Sequence, residues 1–174
     1  MAQTSFKFDL GPGKAAPGYT PVLPATAYTN TLGYGFEGAP VTGVERGGKD
    51  ALHDGYITSD KPFYFSVKLP EGNYDVKVTL GDKEGSSVTT IRAECRRLMV
   101  LKETTDKGAF KTVAFTVHVR DSIIHPGETR VRLKARERDY FHWDNKLTLE
   151  FNNSSPKVCA IEISPNTSAT TVFL

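Results

Sequence analysis

"FYFSVKLPEGNYDVKVTL", Phe63 to Leu80, sets Phe63, Phe65, Val67 and Leu69 against Tyr64, Ser66 and Lys68, and then Tyr74, Val76, Val78 and Leu80 against Asp75, Lys77 and Thr79. Alternation of this kind places every second side chain on one face, the mark of a half-buried strand. Pro70 and Gly72 interrupt the two runs, and so short a break predicts a hairpin. The same period recurs along the chain. One strand is predicted from Ser87 to Cys95, with a possible continuation to Val100. Others run through Val113, Phe115, Val117 and Val119, through Val131, Leu133 and Ala135, through Leu147, Leu149 and Phe151, and through Cys159, Ile161 and Ile163. No segment sustains a 3.6-residue period. About eight short strands with one apolar face each predict two sheets over a shared core, an all-β antiparallel jelly-roll β-sandwich.

Upstream, Phe6, Phe8 and Leu10 form a first strand that breaks into "GPGKAAPGYTPV". The stretch from Gly11 to Asp60 is rich in Gly and Pro but carries Tyr19, Tyr28, Tyr34, Phe36 and Tyr56. Disordered segments are poor in aromatics, so this region is expected to pack across the fold, with Tyr19 pinning it to the core. At the other end, Ser164 to Thr170 reads as a polar linker and Thr171 to Leu174 as the start of another strand. The predicted organisation is therefore a sandwich over 1–163, followed over 164–174 by a linker and the first strand of a further domain.

The chain has 174 residues, 24% of them charged and 39% hydrophobic, with a net charge of +2. That composition suits one globular domain. The charge is too small to argue for nucleic acid, and Glu94, Glu137 and Asp139 interrupt the basic stretches that would track phosphates. No apolar run approaches the ~20 residues that span a bilayer. Met1 to Ser5 leads into the first strand without a signal peptide, which reads as a cytosolic chain or a mature segment carrying an added start methionine. Cys95 and Cys159 share the parity of buried neighbours and match no metal spacing, so both read as small core residues; nothing in the sequence fixes a disulfide between them.

No motif announces catalysis. His53, His118, His125 and His142 lack metal-ligand spacing, and there is no nucleophile elbow, phosphate loop or dinucleotide fingerprint. The fragment is expected not to be catalytic. Binding has more support. "RVRLKARERDYFHWDNK" places Arg130, Arg132, Lys134 and Arg136 on one strand face, then delivers Tyr140, Phe141, His142 and the single tryptophan, Trp143. A flat aromatic beside arginines can stack on a sugar ring and grip a carboxylate through two parallel hydrogen bonds; the plainer reading makes Trp143 a cap on the core. A second basic row, Arg92, Glu94 and Arg96 facing outward with Arg97 at the bend, would join the first if both lay in one sheet. The candidate carbohydrate-binding residues are thus Trp143, Tyr140, His142, Arg136, Arg96 and Arg92.

"FDLGPGKAAPGYTPV", "TLGYGFE" and "DGYITSDKPFYFSVKLPEGNYDVKVTLGD" together resemble the galactose-binding-like β-sandwich domain attached to bacterial plant-cell-wall enzymes, and the Phe63 to Leu80 stretch is also similar to malectin-type carbohydrate-binding modules. With "RLMVL" and "WDNKLTLEFN", the chain is most similar to the N-terminal domain of rhamnogalacturonan acetylesterases of the GDSL (SGNH) hydrolase family. The resemblance implies a non-catalytic accessory domain of a secreted or periplasmic pectin acetylesterase. It would bind or orient pectin or rhamnogalacturonan beside a C-terminal hydrolase domain of the same parent chain. The alternative is a domain that docks on the esterase and shapes its cleft without binding sugar itself. In the family a strand like "TVFL" leads into the Gly-Asp-Ser segment; that motif is not in this sequence, so no catalytic residue is carried over. No cofactor is required on this reading. A structural calcium is possible, and Asp9, Asp144 and Glu162 are the hard-cation ligands the sequence offers.

Overall fold

The computed structural model describes residues 3–94, 96–125, 129–132, 134–135 and 143–171. Two sheets hold nearly all of its regular structure. The larger contains β1 (Phe6–Leu10), β2 (Thr20–Val22), β4 (Thr42–Glu45), β5 (Gly55–Thr58), β7 (Gly72–Gly81), β10 (Phe110–Val119) and β14 (Val158–Pro165). Its central order is β10-β7-β14-β1-β2, with β5 also pairing β14 and β4 pairing β5. The smaller sheet runs β3 (Tyr34–Gly38), β6 (Phe63–Lys68), β13 (Lys146–Asn152), β8 (Ser87–Ala93) and β9 (Arg97–Thr105), in that order. A two-stranded ribbon, β11 (Ile123–His125) with β12 (Thr129–Arg130), stands apart. Among the described residues no helix is long and apolar enough to cross a membrane.

The core lies between the sheets. Phe8, Leu10, Val76, Val78, Leu80, Ile161 and Ile163 come from one side and Phe63, Phe65, Val67, Ile91, Leu147, Leu149 and Phe151 from the other, all essentially without solvent contact. Phe8 of β1 meets Phe65 of β6 edge to face at 5.2 Å, joining the two sheets directly. Phe36 adds a second edge contact to Phe65 at 5.3 Å, and Phe63 stacks on Phe151 at 5.2 Å.

The predicted hairpin between Phe63 and Leu80 is not one. Both runs bury the expected residues, but β6 pairs with β3 and β13 while β7 pairs with β10 and β14. Leu69 to Glu71 carries the chain from one sheet to the other. Period two says which face of a strand is buried; it does not say whether two consecutive strands lie side by side or face each other across the core. The corner is held by Leu69 N–H donating to the Asn145 carbonyl at 2.9 Å and by the Tyr74 hydroxyl donating to the Pro70 carbonyl at 2.9 Å.

The segment from Gly11 to Asp60 does pack across the fold, and it contains β2 to β5. Gly35 explains part of its path: a Cβ there would lie 2.5 Å from the Ala27 backbone, so only glycine lets the Ala27–Tyr28 segment lie against β3. Tyr19 ties to the sheet's outer face, its hydroxyl donating to Glu162 Oε1 at 2.7 Å, where the sequence placed it against the core. The Ser164–Thr170 linker is itself lashed down. Asn166 N–H donates to the Asn73 carbonyl at 2.8 Å, and Asn73 Nδ2 donates to the Ala169 carbonyl at 2.8 Å. Residues 172–174, the predicted next strand, lie outside the described residues.

A buried carboxylate closes the far end. Asp82 is 1% exposed and accepts from Arg46 Nε and Nη2 at 2.9 and 3.1 Å, from Lys157 Nζ at 2.7 Å, from the Tyr56 hydroxyl at 3.2 Å and from Glu84 N–H at 3.1 Å. Burial alone would raise its pKa; the two cations and the backbone donor overcome that and hold it well below the usual carboxylate range.

Two substitutions separate packing from corner geometry. Phe65→Ala removes the contact between sheets and is expected to cost about 3–5 kcal/mol in urea unfolding, whereas Tyr74→Phe, which loses only the hydroxyl bond at the corner, is expected to cost about 1 kcal/mol.

Candidate functional site

The flank of the smaller sheet is built by β8, β9 and the end of β13. The sequence read this stretch as one strand with a bend; the structure makes it two antiparallel strands joined by the turn Glu94–Arg96. Glu94 and Arg96 both take positive φ, +44° and +75°, in a turn with no Gly, Asn or Pro to mark it. Lys102 repeats this on β9 with φ +49°, where the register shifts and its N–H donates to Thr90 Oγ1 at 3.0 Å. Bulges of this sort re-aim a side chain locally.

The result is an open cleft of about 400 Å³ lined by Arg92, Arg96, Lys102, Leu98, Leu101 and Asn152. Three cations therefore converge on one hollow. Arg92 Nη1 meets Glu150 Oε1 at 3.1 Å, and Asn152 Nδ2 donates to the same oxygen. Leu98 and Leu101 are 53% and 66% exposed, so the cleft is cationic and partly apolar.

Glu94 does not face outward as the alternation suggested; it is 3% exposed. Its backbone N–H donates to the Thr148 carbonyl at 3.1 Å, and its Oε1 accepts from Thr148 N–H at 3.1 Å. The side chain thus completes the β8–β13 ladder where β8 turns away. Burial pushes its pKa up from 4.5 to about 8; the Thr148 N–H opposes this, the Asp144 carboxylate adds to it, and Arg97 and Lys146 oppose it. Beside it, Lys146 pairs with both oxygens of Glu37 at 2.9 and 2.8 Å and lies over the Tyr28 ring at 4.7 Å. Glu37 also accepts from Ser66.

Of the remaining expected residues, Trp143 is half-buried, with φ +58°, and belongs to neither the core cluster nor the flank cleft. The Arg120 guanidinium covers its ring at 4.4 Å, and a bridge to Asp121 joins it to the chain entering the ribbon. Tyr140, His142 and Arg136 lie outside the described residues, as does Cys95. Arg130, Arg132 and Lys134 do not share one strand face: β12 ends at Arg130, which stands on the ribbon and not beside Arg92, and Arg132 and Lys134 lie in no strand. A two-residue strand is too short for its period to be read from sequence. Cys159 is a free buried thiol donating to the Gly81 carbonyl at 3.4 Å, and burial raises its pKa to about 12.

The three carboxylates named for calcium have other partners. Asp9 accepts from Ala16 N–H, Glu162 from Tyr19 and Lys7, and Asp144 from Lys146 N–H. Among the described residues no three His, Cys, Asp or Glu side chains gather as a metal site.

The two packed sheets make a β-sandwich, the architecture of galactose-binding-like domains. Residues 6–124 match the model of the Beta-agarase/YXIM esterase-like, galactose-binding domain-like family, and the chain belongs to that family. It is 35% identical over 91 residues to the uncharacterized esterase YxiM of Bacillus subtilis (strain 168), a match covering 48% of this chain and 23% of that protein. The crystal structure of the Bacillus subtilis YXIM protein superposes with a TM-score of 0.66 at 23% identity, over 93% of this chain and 40% of that one. A Bacteroides uniformis beta-glucuronidase 2 structure shares the fold at a TM-score of 0.56 and 10% identity, over 93% of this chain and 18% of that one. The chain thus spans about a quarter of the curated relative it matches.

The raised pKa of Glu94 has a definite sign. Its stability contribution is fully present below 4.5 and is lost as pH rises toward about 8. Glu94→Gln keeps the acceptor for Thr148 N–H and cannot ionise. Its melting temperature is expected to exceed that of the native chain above pH 8, with the difference closing below pH 4.5.

Proposed function

We propose that this domain is a non-catalytic carbohydrate-binding accessory of a carbohydrate esterase, holding an acidic plant cell-wall polysaccharide of the pectin or rhamnogalacturonan class. The observation that carries this reading is the flank cleft, where Arg92, Arg96 and Lys102 converge beside Asn152. Guanidinium groups bind carboxylates through paired hydrogen bonds, amides suit hydroxyls, and Leu98 and Leu101 offer apolar surface to a sugar's C–H face. Family membership and the esterase relative support the accessory role. The hydrolase chemistry then belongs to a catalytic domain of the GDSL type elsewhere in the parent chain. A polymer of this kind is met outside the cytoplasm, and a secreted or periplasmic location goes with this reading.

Titration with rhamnogalacturonan oligosaccharides and with neutral galactans tests it. The acidic ligand is expected to bind in the millimolar-to-micromolar range, about −4 to −8 kcal/mol, and to weaken as salt rises. Lys102→Gln should lower that affinity severalfold while leaving the melting temperature nearly unchanged, since Lys102 is exposed; adding Arg92→Gln should bring the loss to at least tenfold, with a small drop in melting temperature from the lost Glu150 pair. Trp143→Ala should cost less stability than Phe65→Ala, because its ring is only half-buried.

A second reading rests on Leu98 and Leu101, whose exposure on an edge strand also suits docking against another domain. Failure to bind any glycan at millimolar concentration, together with binding to the separately produced esterase domain, would favour docking over sugar recognition. Ester hydrolysis by the isolated chain would overturn both.

A further inference from the structure

A second cleft, sharing no residue with the flank cleft, opens at the end of the sandwich where β1, β3 and β13 begin and β6 ends. Its volume is about 470 Å³, and Phe6, Asn30, Leu32, Lys68, Leu69 and Asn145 are among its lining. That is within the size range of small-ligand sites.

Its walls are fixed by the backbone. Gly33 N–H donates to the Thr29 carbonyl at 2.8 Å and Leu32 N–H to Thr29 Oγ1 at 3.1 Å, closing a turn that ends in Gly33 at φ +80°. Lys68 N–H donates to the Gly33 carbonyl at 2.7 Å, which pins this turn to β6. The opposite wall is held by Leu69 N–H on the Asn145 carbonyl and by Lys146 N–H on Asp144 Oδ1 at 3.1 Å. Phe6 is stacked on Phe8 at 5.4 Å, so its ring is held by the core.

The polar groups are disposed for a ligand. Lys68 stands directly opposite Lys146 in the β6–β13 ladder. Glu37 neutralises Lys146 with both its oxygens, and no carboxylate among the described residues lies within ion-pair distance of Lys68. With Lys146 already paired, the exposed Lys68 ammonium carries the cleft's uncompensated charge and favours an anion at this place. The Tyr28 hydroxyl donates to Asn30 Oδ1 at 3.3 Å, which leaves the Asn30 amide N–H donors to other acceptors. Asn145 uses its backbone carbonyl for the corner and presents an exposed side-chain amide.

We propose that this cleft binds a single uronic-acid residue, its carboxylate on Lys68, its hydroxyls on the Asn30 and Asn145 amides and its C–H face against Phe6 and Leu32. The proposal rests on the reading that the domain binds acidic glycan, and it adds a second, separate contact point for the chain.

The test follows the side-chain amide resonances of the whole 174-residue chain by NMR during titration with galacturonic acid, with galactose as the neutral control. Galacturonic acid is expected to shift the Asn30 and Asn145 amide signals and galactose to shift them far less. Lys68→Gln should weaken the galacturonate response at least fivefold, and Asn145→Ala should weaken both sugars. Melting curves check that each exposed substitution leaves the fold intact. If galacturonate binding is abolished by Arg92→Gln and untouched by Lys68→Gln and Asn145→Ala, the end cleft is not a site and the glycan reading stands on the flank alone. A free glutamate dipeptide producing the same shifts as galacturonate would overturn the sugar assignment. Silence toward every glycan overturns this proposal and the function it rests on together.

Discussion

The contact between Phe8 and Phe65 is the constraint on which the remaining structure depends. Each ring belongs to a different sheet, and their edge-to-face packing fixes how far apart and in what rotation the sheets sit. Phe36, Phe63 and Phe151 extend the contact along the smaller sheet, and Phe6 carries it outward to the sandwich end. Both clefts inherit their shape from this spine. The end cleft has a Phe6 wall because Phe6 stacks on Phe8, and the flank cleft sits over β8 and β9 because Ile91 and Ala93 are drawn into the same core.

Charged groups do the second part of the work, and they divide by burial. Asp82 is enclosed by two cations and a backbone donor and serves architecture, tying the β4–β5 strands to the chain after β7 and to Lys157 before β14. Glu94 accepts instead from a backbone N–H, that of Thr148, and its burial pushes its pKa up to about 8. The surface cations are of another kind. Lys68 and Lys102 face solvent beside apolar side chains, and such groups keep more of their charge available for a ligand than a buried pair does.

The fold class was legible because alternation survives any rearrangement of neighbours: Phe63, Phe65, Val67, Tyr74, Val76 and Val78 are all buried as their parity required. Pairing was not legible. The Leu69–Glu71 corner has the composition of a hairpin turn, and only the partners supplied by β3, β10, β13 and β14 decide that it changes sheets. The turn at Glu94–Arg96 was hidden for a different reason: its positive φ values fall on residues that ordinarily avoid them, so no local signal marks it. Arg92 and Arg96 were found from their charge and do share a cleft. Lys68, Asn30 and Asn145 were missed because they are far apart in sequence and individually ordinary; only the meeting of three strand ends makes them neighbours.

The irregular course of β9 has a colloidal consequence. It is the outermost strand of its sheet, nine residues long and carrying exposed leucines, which is the profile of a template for unwanted strand addition. The register shift and the left-handed residue at Lys102 break its free edge into two short, misaligned pieces with a charge at the break. The distortion that turns Lys102 into the cleft is thus of the kind that blunts an edge against strand addition, and a straightened β9 would present a longer continuous template.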